Sequence, residues 1–200
     1  MATRTAARRT QAERSAATRE ALVEAARKLF ARRGYFEVGS GELVRACRLT
    51  RGALYHHFDG KQGLFEAVVE SVQAEVTRDV ERAAAAAPGP WEGIKAGCAA
   101  FVRATARPEV MQILLVDAVA VLGIMKWRAI DAEYGLASLQ AGLAECMELG
   151  VLPEQPVEPL ARLISGAVNE AALWLAEKPK SRKRRSDVLA ALDALLDGLA

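Results

Sequence analysis

Apolar residues recur with the period of an α-helix along almost the whole chain. Between residues 22 and 30 they fall at i, i+3, i+4, i+7 and i+8, which places them on one face of a helix. These residues are Leu22, Ala25, Ala26, Leu29 and Phe30. No segment shows the strict alternation that is typical of a half-buried strand. The pattern therefore predicts an all-α fold of about nine helices.

Helix-capping and helix-breaking residues divide this pattern into segments. We predict a first helix that begins with Thr18 as its N-cap and ends at Gly34. Ser40 and Thr50 are predicted N-caps of two short helices, which a break at 48–50 separates. A fourth helix is predicted over about 62–87, and five more over about 91–106, 108–125, 127–149, 157–177 and 186–199.

The composition is that of a globular protein without covalent cross-links. Hydrophobic residues make up 52% of the 200 residues and charged residues 26%, so the chain can bury a core unaided. The three cysteines are odd in number and widely spaced, which argues against a disulfide framework or a zinc site. The most apolar run, 110–125, is shorter than the about 20 residues that a membrane span needs. We expect a cytoplasmic protein without a membrane partner.

Charge is distributed unevenly along the chain. Basic residues outnumber acidic ones over 1–70, the balance reverses over 71–177, and 178–200 is basic again. A basic block on an acidic body suggests that one end of the protein meets a polyanion. The first 17 residues read as a basic arm that contacts DNA, a solvated tail or a transit peptide. The basic residues of this arm are Arg4, Arg8, Arg9 and Arg14.

The two short helices and the break between them have the spacing of a helix-turn-helix motif. In such a motif the second helix buries one side and presents its N-terminal residues to the major groove. Leu54 and Phe58 are predicted on the buried side. Arg51 can contact guanine with two hydrogen bonds, and Gly52 is small enough for a close approach of the backbone. Phosphate contacts are predicted for Tyr55, His56, His57 and Lys61.

Residues 18–69 resemble the DNA-binding domain of the TetR family of bacterial transcriptional regulators. The match centres on 50–58, TRGALYHHF, and continues with Lys61 and with Leu64-Phe65. Two positions depart from the family pattern: Gly41 lacks a side chain that sometimes reads a base, and Arg48 stands where many members have glycine. The resemblance implies DNA contacts from Ser40, Thr50, Arg51, Gly52, Tyr55, His56, His57 and Lys61.

The resemblance also implies how the remainder of the chain is organised. The domains would be a basic arm over 1–17, a helix-turn-helix domain over 18–65 and a helical ligand-binding and dimerisation domain over 66–200. Family members are mostly homodimers that associate through their last two helices, here about 157–177 and 186–199. The helices between form a pocket for a small-molecule effector, whose binding releases the protein from its DNA operator.

Polar and aromatic residues in apolar helices are the candidates for this pocket. Asp117 lies in a helix that is apolar nearly all round, where a carboxylate needs a partner such as Arg128 or Arg162, or a ligand. Asn169 and Glu170, in the otherwise apolar eighth predicted helix, likewise need a partner or a ligand. Aromatic and methionine side chains at helical spacing are also typical of a core or a dimer interface. The candidate set is Asp117, Met125, Trp127, Tyr134, Asn169 and Trp174.

These features predict a homodimeric regulator that binds a pseudo-palindromic operator, most simply a repressor released by a small molecule. An activator, or a regulator that answers a partner protein, would have the same sequence features. An enzyme is disfavoured because the C-terminal helices offer no nucleophile–base pair, no metal-ligand spacing and no glycine-rich phosphate loop. We expect no cofactor and no metal. His56 and His57 cannot chelate a metal ion together, because adjacent residues on a helix point about 100° apart. The basic segment 178–185 is a solvated loop or a second nucleic-acid patch.

Overall fold

The structure of the protein, a computed structural model, describes residues 11–47 and 50–200. Within these ranges the chain forms nine helices and no strand, so the predicted all-α fold is confirmed. The helices are α1 (Gln11–Arg33), α2 (Ser40–Ala46), α3 (Arg51–His57), α4 (Gly60–Ala85), α5 (Pro90–Thr105), α6 (108–122), α7 (Ile124–Glu148), α8 (Val157–Ala176) and α9 (Arg182–Asp197). The middle of α6, Met111–Asp117, is π-helical.

The chain divides into two compact units, Met1–Val68 and Val69–Ala200. The boundary falls inside α4, three residues beyond the one expected from the sequence. Helix α4 therefore contributes its first two turns to the first unit and its remainder to the second.

The first unit has an aromatic and aliphatic core. Leu22, Ala26 and Phe30 lie on the buried face of α1, as the periodicity predicts. The Phe30 ring meets the Phe65 ring of α4 edge-on, with centroids 5.1 Å apart. Gly34, with a φ of 77°, ends α1 in the left-handed conformation that favours glycine. The chain turns there to enter the helix-turn-helix.

The second unit has one apolar core to which α5, α7, α8 and α9 all contribute. Buried members include Val102 of α5, Leu143 of α7, Ile164 of α8 and Leu192 of α9. Burial of each such aliphatic side chain is worth about 1.5–3 kcal/mol, so this cluster contributes substantially to the unit's stability. No helix among the described residues has the length and apolarity that crossing a membrane would require.

Two predicted N-caps near the start of the chain are wrong. Helix α1 is already formed at Gln11, so Thr18 lies inside the helix. Gly39, in extended conformation, precedes α2, and Ser40 is the first residue of the helix. Of the predicted basic arm, residues 11–17 are helical, and its first ten residues lie outside the described part of the chain.

Two boundaries in the second half lie three or four residues from their predicted positions. Gly123, with a φ of 81°, ends α6 before Met125, because its left-handed backbone cannot continue a helix. Helix α9 begins at Arg182 and not at Ser186, since Ser181 caps it with its side chain. The basic segment 178–185 is therefore not one continuous loop.

Candidate functional site

Helix α3 is stabilised at its N-terminus by its own cap. Thr50 Oγ1 accepts a hydrogen bond from the backbone N–H of Ala53 at 3.1 Å, which confirms the predicted cap. Leu54 and Phe58 are buried, with exposed fractions of 2% and 5%, as predicted. A helix of seven residues is marginal in isolation. The cap and the two buried side chains therefore determine which face of α3 points outward.

Arg19 of α1 secures the other end of α3. Its Nη1 donates a hydrogen bond to the carbonyl oxygen of His57 at 3.1 Å. Its guanidinium carbon also lies 4.4 Å from the centre of the Phe58 ring. A cation at a helix C-terminus satisfies a carbonyl without an intrahelical partner and opposes the negative end of the helix dipole. Arg19 thus fixes the predicted recognition helix to α1.

The outer face of α3 carries the residues predicted to read DNA. Arg51, Gly52, Tyr55 and His56 are exposed, and His57 is partly exposed. A Cβ built on Gly52 would have its nearest neighbour, the hydroxyl oxygen of Thr50, 3.9 Å away. Packing within the protein therefore does not require glycine at this position, whereas a close approach of a DNA backbone would.

Gly60 and Lys61 support the far end of this surface. Gly60 starts α4 with a φ of 67°, and a Cβ there would lie 3.1 Å from Cε1 of Tyr55. The Tyr55 ring therefore lies directly against the backbone of Gly60. Lys61 Nζ lies 3.9 Å from the centre of the Tyr35 ring, a cation–π contact that holds this predicted phosphate ligand on the first unit.

The start of α2 is tied to the end of α1 by Arg33. Its Nη1 lies 2.6 Å from Oε1 of Glu42, and its Nη2 donates to the carbonyl oxygen of Glu37 at 3.0 Å. Ser40, a predicted DNA contact, is partly buried in the first turn of α2. The predicted turn residue Arg48 lies outside the described residues.

The second unit contains a cavity of about 300 Å³, lined by residues of α4, α5, α7 and α8. Its walls are mostly apolar and include Ile94 and Phe101 of α5, Leu139 of α7 and Val168 of α8. Small-molecule sites usually have volumes of about 300–1,000 Å³ and apolar walls with a few polar groups. The cavity therefore has the size and character of a site for a small organic molecule.

Two of the six predicted pocket residues, Tyr134 and Asn169, line this cavity. Met125 does not line the cavity. It follows the helix break at Gly123, and its side chain is 76% exposed. Trp127 does not line it either: it is 4% exposed and is one of the buried hydrophobic residues. Aromatic residues at helical spacing are commonly part of the core.

Asp117 also lies away from the cavity lining. It is buried in the π-helical part of α6, where its Oδ1 accepts a hydrogen bond from Nε2 of Gln112 at 3.1 Å. Arg162, one of its two predicted partners, instead bonds Glu158 one helical turn away at 2.9 Å. A neighbouring amide on the same helix thus satisfies one oxygen of this buried carboxylate.

Trp174, the last predicted pocket residue, faces the basic segment and not the cavity. The guanidinium carbon of Arg184 lies 3.6 Å from the centre of its ring. Nη2 of Arg184 also donates to Oε2 of Glu177 at 2.8 Å. Arg184 therefore joins the first turn of α9 to the end of α8, which gives this part of the basic segment a structural contact.

Asp131 of α7 is the polar centre of the cavity. Its Oδ1 accepts a hydrogen bond from Nε2 of Gln73 at 3.1 Å, and its Oδ2 accepts one from Nδ2 of Asn169 at 2.7 Å. Gln73 belongs to α4 and Asn169 to α8, so one carboxylate connects three helices. Burial raises the pKa of Asp131, and the hydrogen bonds from Asn169, Gln73 and Ser165 partly oppose that rise.

Two other titratable groups of the lining have shifted pKa values. Burial raises the pKa of the Cys98 thiol to about 11, so this thiol is protonated and a poor nucleophile at neutral pH. Burial raises the pKa of Tyr134, and the nearby Glu70 and Glu133 raise it further. The Tyr134 hydroxyl is therefore a neutral group that can donate or accept a hydrogen bond.

Helix α3, which is capped by Thr50 and exposes a polar face, forms a helix-turn-helix with α2 in the first unit. A helical unit with a cavity of small-molecule size follows it in the chain. Residues 22–68 match the family model described as bacterial regulatory proteins, tetR family. Residues 91–199, more than half of the chain, match that described as tetracyclin repressor-like, C-terminal domain. The chain belongs to the TetR family, which confirms the resemblance inferred from the segment TRGALYHHF.

Individual relatives agree with this assignment. A TetR-family transcriptional regulator from Pectobacterium atrosepticum is 38% identical, with a TM-score of 0.84 over 96% of this chain and 97% of that one. The HTH-type transcriptional regulator UidR of Escherichia coli is 34% identical over 73 residues, 36% of this chain and 34% of UidR. The match to this curated relative thus spans about a third of its length.

A further solved structure shares the fold with lower identity. AibR, solved in complex with isovaleryl coenzyme A and operator DNA, has a TM-score of 0.62 and 20% identity over 92% of this chain and all of that one.

Sequence reasoning missed the two residues that organise these sites, Arg19 and Asp131. Arg19 contacts a carbonyl 38 positions away, and no local pattern in α1 indicates such a partner. The sequence gives only a weak indication that Asp131 is a site residue. It directly follows Ile130, which is buried, in a helix whose exposed positions are already polar. That signal does not distinguish it from the acidic residues on the outer face of α7.

We predict that Gly52→Ala weakens operator binding without destabilising the fold. The space around Gly52 accommodates a methyl group, and alanine in a helix is more stable than glycine by about 0.5–1 kcal/mol. The melting temperature should stay level or rise, while affinity measured by fluorescence anisotropy with labelled operator falls. Gly135→Ala, an equally open glycine in α7, is the matched control and should retain full affinity. Unchanged operator affinity in Gly52→Ala would show that α3 does not approach DNA at this point.

We predict that Arg19→Ala destabilises the protein by about 1 kcal/mol through loss of the carbonyl hydrogen bond and the cation–π contact. Urea unfolding followed by circular dichroism measures this change. Arg32→Ala removes an exposed arginine of the same helix whose hydrogen bond is local to α1, and it should cost less. Equal losses in the two variants would mean that Arg19 has no special role in holding α3.

Proposed function

We propose that the protein is a homodimeric transcriptional regulator that binds a pseudo-palindromic operator through α3 and is released by a small molecule, acting as a repressor. The observation that carries this proposal is the exposed face of α3, fixed by Thr50 and Arg19 at its two ends, in a chain of the TetR family. Since the operator would be chromosomal, the proposal places the protein in the cytoplasm. It assigns no catalytic role.

Each residue of the proposed DNA surface has a distinct task. Arg51, at the exposed N-terminal end of α3, reads guanine in the major groove with two hydrogen bonds. Gly52 allows the helix backbone to approach. Thr50 and Ser40, at the starts of α3 and α2, contact phosphates together with the remaining polar residues, which fix the register without reading sequence. These are Tyr55, His56, His57 and Lys61.

Release by a small molecule is supported by the cavity and by helix α4. Residues of α4 between Gln73 and Ala84 line the cavity, and the same helix starts at Gly60 in the DNA-binding unit. A ligand that binds the cavity therefore contacts a helix that continues into that unit. Release requires the ligand to favour one arrangement of the protein over another, with a coupling free energy of typically 1–3 kcal/mol. AibR, a relative in fold, was solved in complex with isovaleryl coenzyme A and operator DNA, which supports the view that a chain of this fold can bind both a small molecule and DNA.

Dimerisation through α8 and α9 is supported by apolar side chains that these helices leave exposed. Leu163 and Trp174 of α8 are 72% and 43% exposed, and Leu195 of α9 is 55% exposed. Leu163 and Trp174 are eleven residues apart, three helical turns, so they share one face. Exposed apolar faces of this kind mark protein–protein contacts. A second copy of the chain is the occupant that we propose, since a pseudo-palindromic operator needs two recognition helices.

Selection of genomic fragments by the purified protein, at near-physiological salt and with non-specific competitor DNA, tests the proposal directly. Recovery of a discrete palindromic site, with half-site centres about 34–36 Å or a multiple apart, supports it. Recovery of random fragments by a folded, dimeric and ligand-free preparation would contradict sequence-specific operator binding.

We predict that Arg51→Ala lowers operator affinity by about 1–3 kcal/mol and relaxes the preference at one base position, while the dimer remains intact. Affinity is measured for the operator and for operators altered at each position. Lys61→Ala is the comparison, since a lost phosphate contact weakens binding to all sequences. It also lowers the slope of log affinity against log salt concentration by about one. If Arg51→Ala binds every altered operator in the same ratio as the parent, Arg51 does not read a base.

We predict that Leu163→Glu converts the dimer to a monomer, because it places two charges in a desolvated interface. Sedimentation velocity measures the oligomeric state, and circular dichroism should show an unchanged helical fold because Leu163 is exposed in the single chain. Leu149→Glu, at a leucine 62% exposed beyond the end of α7, is the matched control and should stay dimeric. A dimeric Leu163→Glu variant would place the interface elsewhere.

A further inference from the structure

No positive side chain among the described residues pairs with the carboxylate of Asp131. Its hydrogen-bond donors are the neutral side chains of Gln73, Asn169 and Ser165. Among the described residues that line the cavity there is no lysine, arginine or histidine, whereas Glu81 lines it too. A carboxylate removed from water without a countercharge is costly unless a positive group approaches it.

The amide of Asn169 adds a second unmatched acceptor. Its Nδ2 donates to Asp131, and its Oδ1 is buried without a hydrogen-bond partner among the described residues. Buried acceptors of this kind are normally satisfied. The same corner of the cavity therefore holds a negative charge and a free acceptor, which together match a group that is positive and carries N–H donors.

The other walls of the cavity are mostly apolar. Ile94, Phe101, Leu139 and Val168 line it, together with the aromatic ring of Tyr134. Aromatic faces attract cations as well as apolar surface. The volume of about 300 Å³ is at the small end of ligand sites. A fitting molecule has a compact apolar body and one polar head.

We propose that the effector is a small apolar ammonium compound whose positive nitrogen pairs with Asp131 and donates a hydrogen bond to Oδ1 of Asn169. This inference rests on the proposed function, since it names the chemical class of the effector at that site. An ammonium group supplies both the countercharge and the N–H donors that this corner lacks. A carboxylate or phosphate ligand would instead meet like charge without a compensating cation.

Three probes with the same apolar body separate these chemistries: 4-phenylbutylammonium, 4-phenylbutan-1-ol and 4-phenylbutyrate. Binding to the wild-type dimer is measured by isothermal titration calorimetry without DNA, and shorter phenylalkyl homologues cover the length of the cavity. We expect the ammonium to bind about tenfold or more tighter than the alcohol, with the carboxylate weakest. Binding of the alcohol or the carboxylate as tightly as the ammonium, or no binding by any ammonium of the series, overturns the proposal.

The variant Asp131→Asn tests the assigned residue. It removes the charge and keeps the shape, and the amides of Gln73 and Asn169 can turn their oxygens toward it. We expect ammonium affinity to fall by about tenfold or more, to that of the alcohol, with the alcohol unchanged. The matched control is Glu133→Gln, which removes the same charge two residues away on α7, outside the cavity lining, and should change ammonium affinity little. Equal affinity of Asp131→Asn and wild type for the ammonium overturns the assignment.

Stability and DNA binding are measured on the same proteins. The melting temperature of Asp131→Asn at neutral pH should not be lower than that of the wild type, because the substitution removes a buried charge. If this variant does not fold, the comparison of the three probes on wild type still decides the proposal. Operator binding without any probe reports separately on the proposed regulator. Ammonium binding that leaves the operator complex intact would uphold the ligand class and contradict release by that ligand.

Discussion

The first unit depends on keeping a seven-residue helix in one orientation. Helix α3 is too short to be stable through its own hydrogen bonds, so its position depends on contacts outside its backbone ladder. Thr50 closes its first turn, Arg19 takes its last carbonyl, and Leu54 and Phe58 are buried beneath it. The outer face of α3, which is the proposed DNA surface, is therefore held by Arg19, Leu54 and Phe58, which are not among the proposed DNA contacts, and by Thr50, which is.

The sequence predicted the parts of this structure that follow from local periodicity and capping. The helices, the cap at Thr50 and the left-handed glycine at the end of α1 are each determined by residues within one or two turns. Contacts between distant segments could not be predicted from the sequence, as the pairing of Arg19 with a carbonyl of α3 shows. Threonine at position 18 fits the role of a cap, but the helix extends through it as far back as Gln11.

The cavity was harder to predict than the proposed DNA surface, and the reason is physical. A pocket is defined by where four helices fail to fill space, which depends on their packing and not on any single periodicity. Tyr134 and Asn169 line it, whereas Trp174 stacks on Arg184 and Asp117 bonds its own helix. Asp131 could have been selected only with knowledge that Gln73 and Asn169 converge on it.

The contact between Tyr55 and Gly60 has a consequence for how such a protein can change over time. A Cβ at position 60 would lie 3.1 Å from the Tyr55 ring, which is a tight contact, and the backbone there is left-handed. A substitution at position 60 is therefore strained both by its own backbone and by the ring. A smaller residue at position 55 relieves only the second strain, so the cost of changing position 60 depends on the residue at position 55, and the two positions form an epistatic pair.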